Sequence, residues 1–239
     1  MPSYLLRITS AAALAVALAG QAAAQVGHDP ARSPYRDLRW GQFLSVSAGQ
    51  AFGKGGSYGL GPHDGPSIWA RHEFLADRAL TIGLGAGYAQ LQRNYADTSL
   101  SGQGFRGPVD QNVWFAEGLV QLNLTGNKTW NSVAPYIGLG LGLAFGENVP
   151  EDRSGYRFGT KFYFAPAVGM RTFLTRRLYV RAEARAIFVN LSYPALYRTY
   201  DPDGLGPMEP LLANQPLKQW APTPVLHAGL GYAFRNPFF

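Results

Sequence analysis

From residue 40 onward the chain alternates apolar with polar or small residues at a period of two, and no apolar run after residue 25 is long enough to cross a bilayer as a helix. A period of two puts successive side chains on opposite faces of a strand, so each segment meets two different environments. The pattern predicts eight strands, at residues 40–52, 67–75, 79–91, 112–124, 136–146, 161–172, 178–189 and 225–234. In the third, Leu80, Ile82, Leu84, Ala86 and Tyr88 oppose Thr81, Gly83, Gly85 and Gly87. In the fifth, Ile137, Leu139, Leu141, Leu143 and Phe145 oppose Gly138, Gly140, Gly142 and Ala144. In the seventh, Val180, Ala182, Ala184, Ala186 and Phe188 oppose Tyr179, Arg181, Glu183 and Arg185.

The connections sort by length. Those after strands one, three, five and seven are long, at residues 53–66, 92–111, 147–160 and 190–224. Those after strands two, four and six are short, centred on Asp77, on Gly126 and Asn127, and on residues 175–177. An even strand number with long and short connections on opposite rims is the arrangement of an outer-membrane barrel, short turns in the periplasm and long loops outside. The expected fold is all-β, an eight-stranded antiparallel transmembrane up-and-down β-barrel over residues 40–239.

A soluble barrel with its apolar face inward would show the same period, but three features place the apolar face outside. Stripes such as Gly83, Gly85, Gly87 and Gly138, Gly140, Gly142 weaken a strand if they face solvent, whereas in a narrow lumen they make room for large side chains. Phe52, Tyr88, Trp114, Phe145, Phe162 and Phe188 fall at one end of the apolar faces, and Trp40, Phe74 and Phe234 at the other, which makes two aromatic girdles. Arg71, Glu73, Glu117, Lys161, Arg171, Arg181, Glu183 and Arg185 all sit on the polar face, and charge is costly against lipid. Eight strands enclose an interior that side chains just fill, so Arg181, Glu183 and Arg185 are expected to pair with one another or with Glu73 and Glu117.

Ahead of the barrel, Arg7 precedes an apolar stretch, residues 8–19, and then Ala22, Ala23 and Ala24. That order predicts a signal peptide at residues 1–24 with cleavage after Ala24, leaving residues 25–39 as an irregular periplasmic lead. Composition narrows the classes further. Hydrophobic residues at 46% with 15% charged exclude a disordered chain, and the absence of cysteine removes disulfides, thiolate zinc sites and cysteine nucleophiles. The net charge of +6 carries no basic run beyond the pair Arg176 and Arg177, which argues against nucleic acid and suits an anionic membrane surface.

The stretch Pro135-Tyr-Ile-Gly-Leu-Gly-Leu-Gly, the hairpin of residues 168–185 and the final strand His227-Ala-Gly-Leu-Gly-Tyr-Ala-Phe resemble the small outer-membrane β-barrel family, the OmpA-like and OmpX-like transmembrane barrels. The last segment is similar to that family's assembly signal, with His227, Gly229, Tyr232 and Phe234 at its characteristic places. Residues 235–239 follow it here, which leaves Phe234 and Phe239 as alternatives for the terminal aromatic. The resemblance implies location in the cell outer membrane, contact with outer-membrane lipid and lipopolysaccharide, and handling by the barrel assembly machinery during insertion.

Chemistry is sparse. His28, His63, His72 and His227 share no metal-ligand spacing, and the glycine repeats lack the helix that a phosphate loop requires. No catalytic, cofactor-binding or metal site is assigned and no cofactor is expected. Two alternatives to a non-enzymatic envelope or surface role remain open. One is a lipid A-modifying enzyme, a deacylase or acyltransferase, prompted by His72 on the outward face with no serine beside it. The other is a narrow pore for a small solute, prompted by the glycine-lined sectors. An extracellular partner, if there is one, is expected at the long loops, above all at residues 190–224 with their prolines and Tyr193, Tyr197, Tyr200 and Trp220.

Overall fold

The computed structural model describes residues 33–38, 41–97, 104–152, 154–198 and 216–235. Contacts divide the chain into Met1–Tyr35 and Arg36–Phe239, and the barrel lies in the second unit. Its eight strands are β1 (Gln42–Ala51), β2 (Gly65–Leu75), β3 (Leu80–Asp97), β4 (Gly104–Asn123), β5 (Val133–Gly146), β6 (Thr160–Phe173), β7 (Leu178–Ser192) and β8 (Lys218–Phe234). Each is antiparallel to its sequence neighbour, and β8 pairs with β1 in the register Leu230↔Val46 and Phe234↔Gln42. The sheet closes on itself, so the backbone polar groups find partners without an open edge.

Burial follows the alternation and inverts the order of a soluble protein. Leu84, on the outward face of β3, is 71% exposed, while Glu73, pointing inward from β2, is 0% exposed. Leu44, Val46, Ile137, Leu139 and Leu141 are likewise exposed outward, and Arg71, Arg171, Arg181 and Arg185 are buried inside. An apolar belt of this extent marks a membrane-facing surface. Phe52, Trp114, Phe145 and Phe162 stand exposed toward the long-loop rim and Phe74 toward the short-turn rim. Trp40, expected in the inner girdle, lies outside the described residues, as do His28 and the signal peptide.

The glycine stripes have the role their placement predicts. A Cβ on Gly231 would come within 2.1 Å of the Tyr179 ring, and one on Gly169 within 2.5 Å of the Tyr136 hydroxyl. On Gly87 it would strike the Trp69 indole at 2.6 Å, and on Gly140 both Arg185 and Glu117 at 2.7 Å. Each of these four glycines accommodates a large inward side chain on an adjacent strand. The glycine-lined sectors are therefore filled, which removes the feature that prompted the reading of an open pore.

Several boundaries differ from those expected. The third strand continues to Asp97 and the fourth begins at Gly104, so most of the connection expected at 92–111 is a hairpin. Both faces turn polar once a strand leaves the membrane, and the period that signals it fades. The last strand begins at Lys218, not 225, with Pro222 and Pro224 inside it. The Pro224 carbonyl accepts from the Phe52 N–H at 2.7 Å, so Pro224, and Pro222 with the same parity, turn their missing donors toward β1. That side is an edge there, because β1 pairs with β8 only up to Ala51, and an edge is where a strand tolerates proline. Trp220 is accordingly a girdle residue, its ring 5.4 Å from Phe164, and not part of a loop. In the lead, expected to be irregular, Tyr35–Asp37 form a short strand, and the turn after β4 holds another, Lys128–Trp130. The Leu38 N–H donates to the Asn127 carbonyl at 2.8 Å.

Candidate functional site

The lumen divides into two parts along the barrel axis. In the half toward the short turns, four guanidinium groups surround three carboxylates. Glu73 accepts from Arg171 at 2.9 Å and from Arg181 at 2.6 Å. Glu183 accepts from Arg71 at 2.9 Å and from Arg181 at 2.7 Å. Glu117 accepts from Arg185 at 2.5 Å and lies 3.0 Å from Arg71 Nε. The chain of contacts runs without a gap from Arg171 to Arg185. The pairing expected from parity is thus present, and Arg71 and Arg171 join it. Lys161, expected with them, stands at the long-loop rim and takes no part.

Neutral donors and aromatic rings complete the plug. Tyr136 and Tyr163 donate to Glu183 and Glu117 at 2.8 and 3.1 Å, and Gln121 donates to Glu73 at 2.9 Å. The Arg171 guanidinium lies 4.9 Å from the Phe43 ring centre and 4.8 Å from that of Tyr136. Buried charge of this density persists only when every carboxylate is compensated, and here each is. Below it, Phe43, Tyr179 and Ala233 form a small apolar floor with Leu75 and Phe173.

Toward the long loops the interior changes character. Trp69, Phe115, Val113, Leu91, Ile187 and Leu191 turn inward and line a small apolar chamber. Trp69 is the floor. Its ring packs on Phe115 at 5.2 Å, and the guanidiniums of Arg71 and Arg185 lie 5.4 and 4.7 Å from its centre. Beside it Ser67 Oγ is 3.1 Å from His227 Nε2. Parity alone put His227 and Trp69 inside, but the serine–histidine contact and the chamber were missed. The available clue was apolar residues at both parities in 187–191 and 113–115, which breaks the alternation where the chamber forms.

A cap of loop residues covers this chamber. Arg93, at the end of β3, donates to Asp152 at 2.7 Å with both side chains buried, and its guanidinium lies 4.9 Å from the Tyr156 ring centre. Asp152 accepts from the Ser154 hydroxyl at 2.5 Å, which also contacts Tyr197. Gln219 donates to Tyr193 at 2.5 Å and accepts from Ser57 at 3.2 Å. Side chains from three long loops and two strand ends are thereby tied together. Burial pushes the Tyr197 phenol up to about 12 and raises those of Tyr156 and Tyr193.

His72 is outward and exposed, as expected. It lies 3.1 Å from Gln42 Oε1 and stacks on Phe234 at 6.0 Å. His63 sits in the first long loop against the Gly61 carbonyl. Among the described residues no group of histidines and carboxylates is arranged to hold a metal ion.

No protein-family model matches the chain, and no curated protein matches it in sequence. Solved structures do. The outer membrane protein OprG from Pseudomonas aeruginosa is similar with a TM-score of 0.54 at 14% identity, over 83% of this chain and 98% of that one. Neisserial surface protein A is similar with a TM-score of 0.52 at 14% identity, over 81% of this chain and 97% of that one. At such identity the likeness establishes the fold, that of an eight-stranded outer-membrane barrel.

Proposed function

We propose that this chain, with the fold of the small outer-membrane barrels, is a non-enzymatic protein of the outer membrane that is closed to ions and presents its tied loops at the cell surface, in an envelope-structural or surface-contact role. The observation that carries the reading is the compensated arginine–glutamate plug, which fills the lumen from wall to wall and leaves the long-loop side as the place for recognition. The lipid A-modifying alternative draws no support from His72, whose hydrogen-bond partner is an amide and whose ring neighbour is Phe234. The Ser67–His227 pair lies inside the barrel away from lipid, and among the described residues His227 Nδ1 meets no acceptor that would orient the ring for base catalysis.

Membrane fractionation and gel mobility test this directly. The protein is expected in the outer-membrane fraction, lacking residues 1–24 and held by lipid and lipopolysaccharide after insertion by the assembly machinery. It should run faster unboiled than boiled. Leu141→Arg, on the exposed outward face, should cost about 2–4 kcal/mol near the midplane. Recovery of the mature chain as a detergent-free soluble monomer would overturn the reading. Removal of residues 205–214, which lie outside the described residues, should leave the barrel folded and abolish any surface adhesion.

A further inference from the structure

The two rims of the barrel differ in charge. At the long-loop rim acidic and basic side chains are nearly balanced among the described residues, with Asp64, Asp110, Glu147 and Glu151 set among the lysines and arginines. At the short-turn rim, again among the described residues, Arg36, Arg78, Lys128, Arg176, Arg177 and Arg235 are exposed, and only Asp37 and Asp77 carry the opposite sign. Side chains at this level stand at the depth of the lipid headgroups on one side of the bilayer, where each nearby cation favours an anionic surface.

Half of these cations are brought to one corner. The Thr175 hydroxyl accepts from the Arg177 and Leu178 N–H groups at 3.2 and 2.9 Å and holds the turn between β6 and β7. The Ala233 N–H donates to the Arg177 carbonyl at 2.7 Å, which fastens that turn to the end of β8. Arg176, Arg177 and Arg235 thereby share the corner, and no Asp or Glu occurs in the segments that build it, residues 42–46, 174–180 and 228–235. Like charges gathered in this way repel one another, and an anion between them relieves the repulsion.

Arg177 is turned toward lipid. Its Nη1 donates to the Tyr232 hydroxyl at 2.9 Å, and Tyr232 faces outward on β8 between Leu178 of β7 and Leu44 of β1. A phenol that accepts from a guanidinium keeps its own proton to donate. A charged and a neutral donor thus stand side by side where the apolar belt ends, with the exposed Leu178, Leu44 and Leu230 leading into the bilayer. Forked guanidinium donors and an interfacial phenol match a phosphodiester at the membrane surface.

We propose that this corner is a binding site for an anionic phospholipid of the periplasmic leaflet, its phosphate held by Arg177, Arg176 and Tyr232 with Arg235 beside them, and its acyl chains lying on Leu178 and Leu44. The inference rests on the reading of the chain as an outer-membrane barrel with its short turns in the periplasm, which puts lipopolysaccharide at the other rim. A zwitterionic headgroup brings its own cation into the same corner and is disfavoured.

The test uses the full mature protein, isotope-labelled in phosphatidylcholine nanodiscs and titrated with dioctanoyl phosphatidylglycerol or, separately, dioctanoyl phosphatidylcholine. Backbone amide resonances of residues 174–178 and 232–235 should shift saturably with phosphatidylglycerol alone, while those at the long-loop rim stay in place. Replacing Arg176, Arg177 and Arg235 together by Gln should weaken binding roughly a hundredfold, the joint effect of three cations near a membrane surface. Arg78→Gln with Lys128→Gln, elsewhere on the same rim, should leave the shifts at the corner intact, and gel mobility reports that each variant has folded. Added salt should weaken binding to the wild-type protein as well, so the charge dependence is read even where the triple variant does not fold. An equal response to phosphatidylcholine, shifts spread evenly over both rims, equal loss in the Arg78 and Lys128 variant, or tighter binding of lipid A at this corner overturns the proposal while leaving the barrel intact. Failure to insert into nanodiscs would instead reject the reading on which it rests.

Discussion

The two halves of the lumen are walled by the same strands and solve the problem of filling a narrow barrel in opposite ways. Toward the short turns, four arginines and three glutamates interlock and inward glycines such as Gly231 and Gly169 leave room for tyrosine rings. Toward the long loops, the walls are apolar and incompletely filled, and closure comes from side chains tied across loops, Arg93 to Asp152 and Ser154 to Tyr197. One half is closed by charge compensation within the strands. The other is closed by a cap, and a cap is far easier to alter without unfolding the barrel.

The largest way to break this contrast is to remove one carboxylate from the plug. Glu73→Ala leaves Arg171 and Arg181 facing each other across a buried gap and should cost about 3–5 kcal/mol. Urea titration in lipid vesicles measures it. Asp152→Ala in the cap removes the acid paired with Arg93 and should leave that global midpoint nearly unchanged while exposing the loops to protease. Equal midpoints for the two variants would mean that the halves do not differ in this way.

Glycine substitutions sharpen the contrast at a smaller scale. Gly231→Ala would drive a methyl into Tyr179, which is enclosed by Phe43 and Phe173 and has no space to yield. Gly87→Ala would meet Trp69, which borders the chamber and has space to move into. The first should cost about 3 kcal/mol and the second about 1 kcal/mol, the two ends of the overpacking range.

The effect of alkali is smaller still and confined to the cap. Tyr197 is held as a neutral phenol to about pH 12, while an unfolded tyrosine ionises near 10. A raised folded pKa gives stability that is complete below about pH 10 and is lost as the pH climbs toward 12. Protease sensitivity of the loops should rise in that window, together with phenolate absorbance, before the barrel unfolds. Simultaneous loss of both would show that the cap and the strands form one cooperative unit.

How much of this was legible in the sequence differs between the halves. The plug could be read from parity alone, because Arg71, Glu73, Glu117, Arg171, Arg181, Glu183 and Arg185 sit at inward positions of strands whose opposite faces are unmistakably apolar. The extra length of β3, β4 and β8 could not, since beyond the membrane neither face is required to be apolar and Pro222 and Pro224 imitate a loop. Nor could the chamber, because Trp69, Phe115 and Leu191 meet only after the barrel closes. Fold followed from a repeating local rule. The candidate site depends on which side chains meet across strands far apart in the chain, and a local rule does not display that.

Ion conductance across a planar lipid bilayer tests the central claim most directly. Wild-type protein, inserted and shown folded by its gel mobility, should give no discrete current steps, because the arginine–glutamate network closes the lumen even when the cap is opened by Asp152→Ala. Discrete, reproducible openings in the wild type, or in Asp152→Ala with the plug intact, would contradict it.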